Sequence, residues 1–138
     1  MFPAHGEFDI NLKGNILCLD IIGPWNYEAS LSFKKEVSTI IEPLQGSKWA
    51  CFTILSNWEL STPDCENMVA RLVGKCVHYG MEQEALVISE GTIKQQIYDK
   101  YPIPRINRDP NIDFKRQFFK QETDAMQWLS KSGYSFAV

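Results

Sequence analysis

The chain has 138 residues, 44% of them hydrophobic and 22% charged, with a formal charge of -3. These values fit one soluble globular domain able to bury its own core, residues 1–138 taken together, and exclude a disordered or fibrous chain. A mildly acidic balance also argues against a nucleic-acid-binding surface, and no apolar run approaches the ~20 residues needed to span a bilayer. The opening Met1 to Asp9 carries no basic segment followed by an apolar one, so a cytoplasmic location is expected.

Phe8, Ile10 and Leu12 alternate with polar residues, Lys13-Gly14-Asn15 supplies a turn, and the run Ile16 to Ile22 follows. This pattern predicts an antiparallel hairpin. Gly23-Pro24 breaks the second strand and Asn26 is placed to cap a helix. Phe33, Val37, Ile40, Ile41 and Leu44 then recur at helical spacing. Trp49 to Leu55 is apolar at odd and even positions alike, as in a strand covered on both faces.

Ser61-Thr62-Pro63-Asp64 combines a hydroxyl cap, a proline suited to the first helical turn and an early acid. Cys65, Val69, Leu72, Val73 and Cys76 give the buried stripe of that second helix, which Gly80 ends. Ala85 to Ile88 predicts a short buried strand, and Gly91-Thr92 opens a third helix carrying Ile93, Ile97 and Tyr101. After a connection marked by Pro102, Pro104 and Pro110, Phe114 to Phe119 predicts the last strand. Thr123 starts a final helix with Ala125, Met126, Trp128 and Leu129, and the tail from Ser130 is expected to be loosely held. Strands alternating with helices imply right-handed crossovers and a mostly parallel sheet with the first strand antiparallel at an edge.

Cys18, Cys51, Cys65 and Cys76 lie scattered in apolar segments without a CxxC pair, and read as reduced, buried thiols. With only His5 and His78 besides, no zinc site of the usual spacing is encoded. Cys65, near a helix start, is a poor candidate nucleophile: it falls on the buried stripe, and His78 is too far along the same helix to serve as its base. No GxSxG, Walker-type loop, Rossmann glycine fingerprint or HExxH occurs, so no cofactor is indicated and enzymatic activity is disfavoured.

The segments "FDINLKGNILCLDIIGPW", "FTILSNWELSTPD" and "FFKQETDAMQWL" together resemble the SpoIIAA-like branch of the STAS superfamily across nearly the whole chain. The resemblance implies an α/β fold with a five-stranded mixed sheet, strands largely in chain order, about four helices, and helices chiefly against one face. It also implies a bacterial, non-enzymatic regulatory or binding module for a small molecule or a protein. Anti-sigma-factor antagonists of that superfamily switch partners when a hydroxyl in an Asp-Ser-Ser-Gly-like turn is phosphorylated. The corresponding turn here, Leu55 to Pro63, lacks that signature; its candidate phosphoacceptors are Ser56, Ser61 and Thr62.

Three sets of residues are candidates for binding. Ser61 and Thr62 stand where a strand end meets a helix N-terminus, which suits an anion, although capping alone explains the residue types. Trp25 and Trp58 follow strand ends, at the edge where open α/β sheets bind ligands, and either line a pocket or fold back over the core. Arg105 and Arg108 lie in a segment, Lys94 to Lys120, with seven basic residues against three acids, which suits an anionic ligand or acidic partner. Because Trp49 to Leu55 is apolar on both sides, something must cover its second face: the termini offer partial cover, but a homodimer or a bound apolar ligand is expected.

Overall fold

The computed structural model describes residues 6–59, 62–89 and 114–137. The third helix, expected from Gly91, the proline-marked connection, Ser61, Arg105 and Arg108 lie outside these residues. Among the described residues there are five strands and three α-helices, one fewer helix than the four expected, the third being the one that falls outside.

Strands β1 (Glu7–Lys13) and β2 (Ile16–Ile22) form the antiparallel hairpin, with Lys13 opposite Ile16 across a two-residue turn. Gly14 takes φ +59°, the left-handed conformation such tight turns need. Helix α1 (Tyr27–Ile41) starts at Asn26, whose side-chain oxygen accepts the Ala29 N–H at 3.0 Å. It buries Phe33, Val37 and Ile41, and a short 3-10 turn, Glu42–Leu44, carries the chain past Pro43.

Strand β3 (Trp49–Ile54) is buried at every position but its last, as its two-sided apolar pattern requires. Helix α2 (Pro63–His78) buries Cys65, Met68, Leu72, Val73 and Cys76; Gly80 follows at φ +111°. Strand β4 runs over Met81–Val87, strand β5 over Lys115–Phe119, and helix α3 over Glu122–Lys131. The sheet order is β1-β2-β3-β4-β5, with every pair parallel except β1–β2.

The start of β4 departs from the expected Ala85 to Ile88 because Glu82, Gln83 and Glu84, after Met81, read as polar. Tertiary partners satisfy them. Glu82 accepts the Tyr134 hydroxyl at 3.1 Å, Gln83 donates to Ser132 Oγ at 3.0 Å, and Glu84 meets Arg116 at 3.4 Å. The register slips by one residue between Trp49 and Ala50, where Glu82 is the extra residue, so Met81 and Gln83, two residues apart, face opposite sides of the sheet.

Each sheet face has its own core. On the first, Leu17, Leu19, Ile21, Trp49, Cys51 and Leu86 pack under α1 and α2. On the second, Ile16, Ala50, Phe52, Ala85 and Val87 pack under Ala125 and Leu129 of α3 and under Tyr134. The second face of β3 is thus covered in large part by the chain itself, with α3 and the C-terminal tail over Ala50 and Phe52. The tail is likewise not loosely held: Tyr134 is buried, Asn15 and Ser135 exchange two hydrogen bonds, and Phe136 packs edge-on to Phe52. Met126, by contrast, is 40% exposed.

Candidate functional site

At the carboxyl ends of the strands, the outgoing segments of β2 and β3 are tied together. Gly23 pairs with Trp58, its N–H donating to Asn57 O at 2.8 Å, and Glu59 N–H donates back to Gly23 O at 3.1 Å. Both tryptophans are buried in the first-face core, at 3% and 5% exposure. The Trp25 ring stacks edge-on against Phe8 and Phe33, and its Nε1–H donates to Ile22 O at 3.1 Å and to Glu7 O at 3.3 Å. Any side chain at Gly6 would collide with that ring. Of the two readings open to Trp25 and Trp58, the geometry is that of rings folded back over the core.

Thr62 Oγ1 accepts the Cys65 N–H at 3.4 Å and caps α2, the role its position predicted. Its residue remains exposed, while Ser56 Oγ accepts the Ser89 N–H at 3.0 Å between the ends of β3 and β4. Cys65 is buried at 1% exposure, so its thiol is shut off from solvent.

Cys51 and Cys76 are buried thiols of the same core. Burial, then the nearby Glu84 charge, pushes the Cys76 thiol up to about 12 and the Cys51 thiol well up in the same direction. Such thiols stay protonated and are not nucleophiles at neutral pH. Among the described residues, no group of three His, Cys, Asp or Glu side chains is placed to hold a metal ion.

One opening among the described residues lies on the second face, beside the region α3 covers. A groove of about 340 Å³ runs between the β1–β2 hairpin and α3. Cys18, Phe52, Ile54, Met126 and Phe136 supply its apolar surface, and Asp9, Asn11, Lys13, Asp20 and Glu122 its polar one. Local structure dictates this division. Phe8 and Ile10 turn toward the first-face core, so the alternate residues Asp9, Asn11 and Lys13 line the groove.

Asp9 and Asp20 are direct cross-strand partners on this face. Like charges placed so oppose pairing. Glu122, in the first turn of α3, adds a third carboxylate. Burial, followed by Asp9 and then Glu122, raises the Asp20 pKa above the ordinary carboxylate value. Asp20 Oδ1 is buried and accepts no hydrogen bond. Three carboxylates against the single ammonium of Lys13 leave the groove negative. The sequence reading passed over this site, although one signal was present: Asp20 is the lone charge inside the apolar run Ile16 to Ile22.

No family model matches the sequence, and no curated protein does. Solved structures do. One is an uncharacterised protein of the DUF3478 family with a SpoIIAA-like fold from Shewanella loihica PV-4, at TM-score 0.67 and 11% identity, covering 94% of this chain and 98% of that one. Another is the anti-sigma factor antagonist SpoIIAA in its unphosphorylated form, at TM-score 0.60 and 11% identity, covering 90% and 98%. The chain therefore has the SpoIIAA-like fold that the sequence resemblance implied.

Proposed function

We propose that this SpoIIAA-like chain is a non-enzymatic binding module whose second-face groove takes a small amphiphilic organic cation. The observation that carries the reading is Asp20: a carboxylate with a buried, unpartnered oxygen, set against two further acids at the rim of an apolar groove. Such an arrangement costs stability in the empty protein, and a bound ammonium would relieve it by neutralising the repulsion and donating to Oδ1. Phe52, Ile54, Met126 and Phe136 would receive the apolar body, and about 340 Å³ lies within the range of small-molecule sites. The sign is opposite to the anionic ligand expected around Arg105 and Arg108.

Titration of the isotope-labelled protein with an arylalkylamine, and with the alcohol of the same shape, tests this by amide chemical shifts. The amine should saturate shifts at Asp9, Asp20, Ile54 and Met126, bind at least ~10-fold more tightly than the alcohol, and lose that advantage in Asp20→Asn. Equal binding of amine and alcohol, or shifts elsewhere, would refute the reading.

A second reading, phosphorylation-controlled partner switching, draws support from the exposed Thr62 hydroxyl at the α2 N-cap and from the similarity to the unphosphorylated antagonist. Added phosphate there would meet the positive end of the helix dipole. Intact-mass measurement after incubation with a cognate kinase should show one phosphate that Thr62→Ala abolishes; an unmodified chain, or modification unaffected by that substitution, sinks this reading.

A further inference from the structure

On the opposite side of the molecule, the outer surfaces of α1 and α2 form a second open groove of about 520 Å³. Leu31, Lys34, Lys35, Ser38 and Thr39 of α1 line it, with Glu42 just beyond and with Lys75 and Tyr79 at the end of α2. The two faces differ in charge sign. Here three ammonium groups stand against the one carboxylate of Glu42, and none of the three lysines has an ion-pair partner among the described residues. Lys75 lies over the Tyr79 ring at 5.7 Å, a contact that leaves its N–H donors free to turn outward. Ser38 Oγ is buried and makes no hydrogen bond.

The groove also carries apolar surface. Leu31 is 44% exposed, and Tyr27, one turn earlier on α1, is 42% exposed. Four residues apart, the two lie on one side of α1 and set apolar surface beside the lysines. From Leu31 to Glu42 the groove follows α1 for roughly 16 Å at 1.5 Å per residue, about three helical turns.

We propose that this α1–α2 groove docks an acidic amphipathic helix of a protein partner. Its apolar face would pack on Tyr27 and Leu31, and its carboxylates would reach Lys34, Lys35 and Lys75. A compact anion such as phosphate fits less well. Lys34 and Lys35 stand midway along α1 and Lys75 near the end of α2, so the positive charge is spread along the groove and not gathered round one point. Carboxylates spaced along a partner helix can meet all three lysine heads. The inference is independent of the second-face groove, which lies across the sheet.

The test uses a fluorescently labelled helical peptide of about four turns, with Leu on one face and Glu on the other, titrated into the full chain and followed by anisotropy and amide shifts. The Glu peptide should bind saturably with shifts at Leu31, Ser38 and Tyr79, weaken as salt rises, and lose at least ~10-fold in affinity against Lys34→Glu/Lys35→Glu/Lys75→Glu. Leu31→Ser should weaken it by ~3-fold or more while the urea midpoint stays unchanged. The proposal is overturned if a Lys/Leu peptide binds equally well, if the triple variant folds and binds with unchanged affinity, or if only inorganic pyrophosphate produces shifts there. Self-association that blocks the groove, seen by sedimentation and abolished in the triple variant, would also overturn it, since the occupant would then be a second copy.

Discussion

Glu84 and Arg116 face one another across β4 and β5 at 3.4 Å, with side chains 2% and 8% exposed, on the sheet face that carries Cys51 and packs under Cys76 of α2. The pair joins the edge strand β5 to β4 by charge as well as by backbone pairing. Buried ion pairs fix arrangement more dependably than they add stability, because desolvation offsets most of the attraction.

Removing one partner should therefore be far more damaging than replacing both. Glu84→Leu or Arg116→Met alone is expected to cost about 3–5 kcal/mol, and the double variant clearly less than the sum. Urea denaturation of the four proteins provides the cycle; additive losses would show that the two side chains do not depend on each other.

Asp20 gives the opposite pH signature from an ordinary salt-bridged carboxylate. Burial first, then Asp9 and Glu122, raises its pKa in the folded state. The folded protein thus binds this proton more tightly than the unfolded chain, and the contribution of Asp20 to stability grows as pH falls from the raised value toward the ordinary ~3.9. Asp20→Asn should be more stable than the wild type at neutral pH by ~0.5 kcal/mol, on the order of 2 °C in Tm. That gap should close on acidification, and melting curves of both proteins across the acid range would show it. A gap independent of pH would mean Asp20 is not strained.

The four thiols should separate by reactivity. Cys51, Cys65 and Cys76 are buried, and Cys18 is half-exposed. Burial raises the Cys18 pKa, while Lys13 pulls it back down. An aromatic disulfide reagent should label Cys18 first in the native protein and all four in denaturant, and Cys18→Ser should erase the fast phase. Rapid native labelling of Cys51 or Cys76 would contradict the first-face packing.

The tail is held by the hairpin turn. Gly14 has positive φ, and a Cβ there would run into the carbonyl oxygens of Ser135 and Ala137. Gly14→Ala should cost ~1–3 kcal/mol in thermal or urea unfolding, combining backbone strain with loss of the tail contacts. In a chain shortened to end at Gly133 the same substitution should cost visibly less, because only the strain remains. Equal costs in both backgrounds would separate the turn from the tail.

The order of the described elements, the parallel sheet with its antiparallel edge, the Asn26 and Thr62 caps and most of the first-face core follow from the sequence alone, for a physical reason. Turn glycines, helix caps and periods of two or 3.6 residues act locally, so neighbouring residues encode them. The polar start of β4 could not be read this way. Glu82, Gln83 and Glu84 become strand only because Tyr134, Ser132 and Arg116, 32 to 52 residues distant along the chain, satisfy them. The tail's burial, the inward turn of Trp25 and Trp58, and the meeting of Asp9 and Asp20 with Glu122 are likewise properties of the assembled sheet. Charge and apolar pattern say which side chains seek partners or cover; only the tertiary structure decides which of them remain without.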